Sequence, residues 1–213
     1  MLDNKKLNLI LASGSQSRKS LLNGADIAFT AHPADINESI IKTKNTKLGI
    51  NPAQTAQDLA DAKAIYVGQL ISQENPSALV LGSDQICHLN GQILDKPGSK
   101  ANLSAHLQQL TGKTHILTSA LSIVQNGKII FRHKDAAHLT MYDLNEAEIE
   151  DYIKRAGDAV LNAAGGYHLE AIGVQLFKQI EGSYFTILGL PLLPLIEFLR
   201  DHGYKNNKQQ GKF

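Results

Sequence analysis

The sequence predicts an α/β fold, and three observations predict it. Leu9-Ile10-Leu11 is a short apolar run that passes through a small polar turn into a helix. Ala78 to Cys87 is a nearly continuous apolar strand of the kind covered on both faces. Between and after them lie helical stretches and two hairpin signals, Asn90-Gly91 and Asn126-Gly127.

The first of these is Leu9-Ile10-Leu11-Ala12-Ser13-Gly14-Ser15-Gln16-Ser17-Arg18-Lys19, with Leu21 and Leu22 on the buried side of the helix that follows. Free backbone N–H groups at the helix start, together with its dipole, favour an anion. Ser13, Ser15 and Ser17 add donors, and Arg18 and Lys19 add charge. Locally, a phosphate-binding turn and an ordinary capped turn fit equally.

Ile27–Ala31 reads as a short strand. His32 to Glu38 reads as a polar turn carrying Asp35 and Glu38, and Lys42 to Gly49 as a basic, mobile loop. Asn51-Pro52 starts a helix that runs to about Gln69. Ala53, Ala56, Ala60 and Val67 form its apolar stripe, and Lys63 sits inside it. Such a lysine either snorkels to the edge or points into a cleft. The strand from Ala78 is expected to end in Gly82-Ser83-Asp84-Gln85, so that Asp84 lies just past its carboxyl end, where open α/β sheets place ligands. An aspartate there serves catalysis or a metal, or caps a turn.

Lys96 precedes Pro97 and is therefore extended, and Ser99 to Leu110 is helical. Gly112-Lys113-Thr114 imitates the end of a Walker A loop, but Leu107 stands where that loop needs glycine. Ile116–Val124 and Ile129–Leu139 are strands, and Asn145 to Glu148 opens a helix with a capping box. Ala163 to Glu170 is a small-residue segment that allows close approach. Strands at Gln175–Gln179 and Tyr184–Leu188 are followed by a helix from Pro191 to near Gly203, and the tail from Lys205 is polar and expected to fray.

The 213 residues, 43% hydrophobic and 19% charged, suit a globular chain with a substantial core. A net charge of +1 argues against a nucleic-acid polymer as partner. One cysteine, Cys87, excludes an internal disulfide and fits a reducing compartment; within a buried strand it reads as core. The N-terminus lacks a signal-peptide core. Tyr184 to Leu199 is too short and too broken to span a bilayer, so the expected location is the cytoplasm. The eight histidines show no zinc spacing, and no Ser-His-Asp arrangement emerges.

Several motifs together resemble the Maf family, also called septum-formation-inhibitor-like proteins. They are Leu11 to Arg18 with Leu21-Leu22, Gly82-Ser83-Asp84, Lys96-Pro97, Leu110 to His115, Ala164 to Tyr167, and Gly189-Leu190-Pro191-Leu192. Their order and spacing cover nearly the whole chain. The resemblance implies a nucleoside triphosphate pyrophosphatase that cleaves the α–β phosphate bond. It implies an elongated mixed β-sheet flanked by helices, with a cleft between two lobes, as in inosine-triphosphate pyrophosphatases. Residues 1–204 would form one catalytic domain, with 205–213 as a tail. A divalent cation, Mg²⁺ or Mn²⁺, and a homodimer are also implied.

Asp84 matches the position of the general base. Ser13, Arg18, Glu38, Lys63 and Lys96 match cleft positions. Arg18, Lys63, Lys96 and the metal would offset triphosphate charge. Ser13, Ser15, Arg18 and Lys19 would bind phosphate, and Glu38 and Asp84 would share the metal through oxygen ligands. Ser17 stands where an arginine or an aromatic is usual, with Lys19 as the nearby substitute cation. Gln85 and Glu170 replace a usual threonine and glutamine, as in the branch acting on 7-methyl-GTP. Arg18, Gln85 and Glu170 are the candidate specificity residues. The alternatives are a family enzyme acting on dTTP or UTP, and a nucleotide-binding regulator without turnover.

Overall fold

A computed structural model describes residues 8–203. The expected fraying of 205–213 falls outside those residues. The chain forms a mixed seven-stranded sheet flanked by helices. Strands β1 (Leu9–Leu11), β2 (Thr30–Ala31), β3 (Leu79–Leu89), β5 (Thr114–Gln125), β6 (Lys128–Met141) and β7 (Phe177–Glu181) lie in the order β2-β1-β3-β5-β6-β7. β4 (Gln92–Leu94) folds back on the far half of β3. β1 is parallel to both its neighbours, and the other pairings are antiparallel.

Helix α1 (Gln16–Gly24) follows the serine turn, with Ser15 as its cap. α3 (Pro52–Ile71) begins after Asn51, whose side chain accepts from the Gln54 N–H, and lies across β3 and β5. Three alanines on its buried side, Ala56, Ala60 and Ala64, let the helix ride close to the sheet. Gly82 makes that approach possible, because a Cβ there would run into the Ala60 carbonyl and the Ala64 amide nitrogen.

The sheet is long, and two separate cores cover one of its faces. Leu79, Leu81, Leu121 and Ile123 pack near α1 and the last helix, α7 (Leu192–Asp201). Cys87, Leu117 and Leu139 pack under α4 (Lys100–Leu110) and α5 (Glu146–Ala156). Between these cores the strands carry polar residues: Ser83 and Gln85 on β3, and Ser119, the register partner of Gln85, on β5. Ser83 donates to the carbonyls of Ala120 (2.8 Å) and Gly189 (3.0 Å). This polar waist separates the two lobes and leaves the cleft open between them.

Five expectations about the elements are corrected. The segment from Lys42 is not a loop: α2 runs Glu38–Lys47. Asn37 caps it, Glu38 lies in its first turn and Lys44 and Lys47 in its last, all favourable to the helix dipole. Tyr184–Ile187 is one turn of helix, α6, not a strand, and its carbonyls serve the waist. Asp84 lies inside β3 and not past its end, because Gly82-Ser83 continues the ladder under α3 where a turn was expected. The strand expected at Ile27–Ala31 shrinks to Thr30–Ala31, and that at Gln175–Gln179 moves to β7. Among the described residues no helix is long and apolar enough to cross a membrane.

Candidate active site

β3 and α3 bring the first pair together. Lys63 lies one residue before Ala64, which packs on Gly82, and Asp84 shares a strand face with Gly82. Lys63 Nζ is 2.5 Å from Asp84 Oδ1 and 2.7 Å from Glu38 Oε1, with side chains 10%, 8% and 34% exposed respectively. The lysine therefore points into the cleft. Burial pushes the Glu38 carboxyl upward, but the charge and hydrogen bond of Lys63, with Lys42 and Lys96, outweigh it and hold the group below its usual value.

The serine turn forms the adjoining wall. Ser15 caps α1, accepting from the Arg18 N–H, and Ser13 Oγ accepts from Arg18 Nη1 at 2.9 Å. Arg18 Nε donates to the Gly189 carbonyl at 2.8 Å. Gly189 sits at φ +95°, a conformation that glycine tolerates best. The guanidinium is thus fixed on two sides, while Nη2 has no protein partner among the described residues. Burial lowers its pKa, opposed by the charges of Asp84 and Glu38; arginine remains a cation throughout.

These groups line a cavity of about 630 Å³. It contains every candidate site residue named from the sequence except one: Asp84, Lys63, Lys96, Arg18, Ser13, Ser15, Gln85, Glu170 and Glu38 all reach it. Lys19 does not. One position beyond Arg18, it is rotated about 100° around α1, off the cavity wall. The cavity also takes in Ser17, read from sequence as a donor of the serine turn, and it takes in Lys42, Asp95 and His168, none of which was assigned a role from sequence. Lys42 follows Glu38 by four residues and shares its helix face; it was hidden because α2 was read as a loop.

Gln85 spends its amide nitrogen inside the protein, near Ser119 Oγ (3.1 Å) and the carbonyls of Thr186 (3.0 Å) and Ile187 (2.8 Å). Only its acceptor oxygen is left for a ligand. Glu170 is exposed, its ion-pair neighbour is His168, 3.7 Å away, and no lysine or arginine pairs with it among the described residues. Tyr167, behind this segment, hydrogen-bonds His115 at 2.6 Å. Burial pushes His115 down to about 4, so that imidazole stays neutral. Burial likewise pushes the Cys87 thiol up to about 12, as suits a core residue.

Among the described residues no group of three or more His, Cys, Asp or Glu side chains converges to cage a metal. Glu38 and Asp84 are two oxygen donors meeting at one ammonium. Chemically, the cavity offers carboxylates at its floor, fixed cations around them and an exposed carboxylate at Glu170.

A family model described as Maf-like protein matches residues 8–202. A protein of Brucella abortus biovar 1 (strain 9-941) called 7-methyl-GTP pyrophosphatase is 44% identical over 194 residues, 91% of this chain and 96% of its own. A protein of Rhodopseudomonas palustris (strain BisB18) called nucleoside triphosphate pyrophosphatase is 45% identical over 192 residues, 90% of this chain and 92% of its own. Among solved structures, the Staphylococcus aureus Ham1 protein aligns with a TM-score of 0.46 at 13% identity, over 92% of this chain and 99% of that one. The family match over almost all the described chain, joined to full-length relatives above 40% identity, establishes that this chain belongs to the Maf family.

Proposed function

We propose that this protein is a metal-dependent nucleoside triphosphate pyrophosphatase that prefers 7-methyl-GTP. The carrying observation is the Lys63 ammonium gripped by Asp84 and Glu38 in a cavity that also holds Arg18, Lys96 and the serine turn. The names of relatives at 44–45% identity support the same activity.

In this reading the triphosphate lies along the serine turn. Ser13 and Ser15 offer hydroxyls, Arg18 its free Nη2, and Lys96 an ammonium with no ion-pair partner among the described residues. Asp84 takes a proton from the water that attacks the α-phosphorus. The α–β bridging P–O bond breaks, giving a nucleoside monophosphate and pyrophosphate. Lys63 orients Asp84 through their hydrogen bond and offsets charge as it builds on the phosphates.

Glu38 and Asp84 suit Mg²⁺ or Mn²⁺, which commonly take one or two carboxylates and complete their shell with water and phosphate oxygens. When bound, such an ion would neutralise phosphate charge. The oxygen-only pair does not suit zinc.

Glu170 supports the choice of base. A carboxylate only accepts hydrogen bonds, and guanine presents N1–H and N2–H₂ side by side. Methylation at N7 makes that base cationic, which strengthens the attraction. Thymine and uracil alternate donor and acceptor and match an amide better.

The test is a panel of 7-methyl-GTP, GTP, dTTP and UTP with Mg²⁺ or Mn²⁺ and product separation. The expected products are 7-methyl-GMP and pyrophosphate, and orthophosphate release would overturn the reaction class. Binding without turnover would make the protein a silent regulator. Asp84→Asn should lower kcat about 10³-fold with the fold retained. Glu170→Gln should shift kcat/KM from 7-methyl-GTP toward dTTP and UTP by about tenfold. An unchanged profile removes Glu170 from base selection.

A further inference from the structure

The four cations of the cavity are not equally free. Lys63 is shared by two carboxylates at 2.5 and 2.7 Å. Arg18 is clamped by Ser13 and Gly189. Lys42 has a different attachment. Its Nζ is 2.7 Å from Asp95 Oδ1 and a loose 3.9 Å from Glu38 Oε2. The Asp95 side chain is 65% exposed, that of Lys42 only 24%. Ion pairs with a solvated partner contribute little and exchange readily.

The pair also joins two elements of the cavity wall. Lys42 belongs to α2, which carries Glu38, whereas Asp95 follows β4 and adjoins Lys96. Both side chains line the cavity. A polyanion entering here meets a lysine whose one hydrogen-bonded carboxylate, Asp95, is mostly hydrated. A phosphate oxygen offers that ammonium a stronger charge-assisted bond.

We infer that Lys42 is a substrate-binding residue, held on Asp95 in the free protein and transferred to the phosphate chain of the bound nucleotide. This rests on the reading of the cavity as a polyphosphate site. Asp95 is then a competitor for Lys42 and not a partner in binding, so the two residues have opposite effects. A purely structural salt bridge between α2 and the β4 loop would instead make both substitutions act alike.

The experiment is calorimetric titration of inorganic tripolyphosphate, without divalent metal, into the wild-type chain, Lys42→Met, Asp95→Asn and the double variant. Lys42→Met should weaken binding about tenfold or more. Asp95→Asn should tighten it about threefold, and that gain should vanish in the Lys42→Met background. The double variant is needed because loss of any nearby negative charge helps an anion; a gain that persists without Lys42 would overturn the inference. So would unchanged affinity in Lys42→Met, or no tripolyphosphate binding by the wild type. Asp95→Asn alters an exposed side chain and keeps the test open if Lys42→Met does not fold.

The nucleotide panel separates this inference from the proposed activity. Tripolyphosphate binding that follows the expected pattern, with no nucleotide hydrolysed, upholds Lys42 and removes the activity. Hydrolysis with KM unchanged in Lys42→Met upholds the activity and removes Lys42. If both hold, KM in Lys42→Met rises about tenfold while kcat stays within about threefold.

Discussion

Helix α3 carries two ion clusters only two residues apart, and they are built differently. Asp61 faces β5 and β6. Its carboxylate accepts from Arg132 Nε (3.1 and 2.9 Å), Arg132 Nη2 (2.9 Å), Gln57 Nε2 (3.0 Å) and Ser122 Oγ. Lys63 is turned about 200° further round the helix and faces the cleft. There one ammonium serves two carboxylates, and all three line a cavity large enough for a ligand. The Asp61 cluster is closed, since its acceptor sites are filled and Arg132 is half in water. The Lys63 cluster is open, because its carboxylates keep lone pairs for a metal or a water. A saturated cluster holds strands to a helix. An unsaturated one, kept from bulk water, is fit for chemistry.

Lys63→Met tests this contrast most severely. It leaves the buried Asp84 without its cation, and kcat for the nucleotide should fall about 10²- to 10³-fold. Stability should fall by about 3 kcal/mol, since an uncompensated charge remains buried. Thermal melts with and without Mg²⁺ supply a second reading: the freed carboxylates should make Mg²⁺ raise Tm more in the variant than in the wild type. Activity within about tenfold of wild type would move Lys63 to the scaffold side of the comparison.

Glu38→Gln gives a smaller, pH-dependent effect. The folded pKa of Glu38 lies below its ordinary 4.5. Its contribution to stability is therefore present above that value and is lost as pH falls through the folded one. The stability gap between wild type and Glu38→Gln should be open at neutral pH and close in urea unfolding as pH falls below the ordinary carboxylate value and through the lower folded one. It should stay below about 1 kcal/mol, because a third of the side chain is in water. A gap that widens with acid would mean Glu38 is not held ionised by Lys63.

The sequence made the scaffold legible wherever a signal was local. Asn51-Pro52 starts α3 as expected. Asn126 and Gly127 take φ of 49° and 70°, the left-handed pair that a two-residue hairpin demands. The Asn145–Glu148 capping box closes in both directions. Lys63 was legible as an oddity on an apolar stripe. What escaped was long-range or lacked apolar periodicity. α2 has its cap and its charges but no apolar stripe, and its buried residue is Asn45, bonded to Thr55 and Asp58. Reading it as a loop removed Lys42 from view. Gly82-Ser83-Asp84-Gln85 has the composition of a turn. It stays in β3 because α3 needs the glycine beneath it and because Ser83 and Gln85 find acceptors across the waist. No local pattern encodes either fact. Lys19 misled for the reverse reason, as adjacency in sequence is not adjacency on a helix.

Arg132→Ala is the mildest probe and completes the comparison. Arg132 is half exposed, and without it Asp61 still accepts from Ser122 and Gln57, so no buried carboxylate is orphaned. The expected loss is below about 1 kcal/mol in urea unfolding, reduced further by salt. Turnover should stay within about twofold of wild type, because the altered side chain lies on the β5–β6 side of α3, away from the cavity lining. If kcat instead falls as far as in Lys63→Met, the closed cluster sets the rotation of α3 and, through it, the aim of Lys63 at Asp84. The two clusters would then be a single device spanning the helix, and the division between scaffold and chemistry drawn at Asp61 and Lys63 would fail.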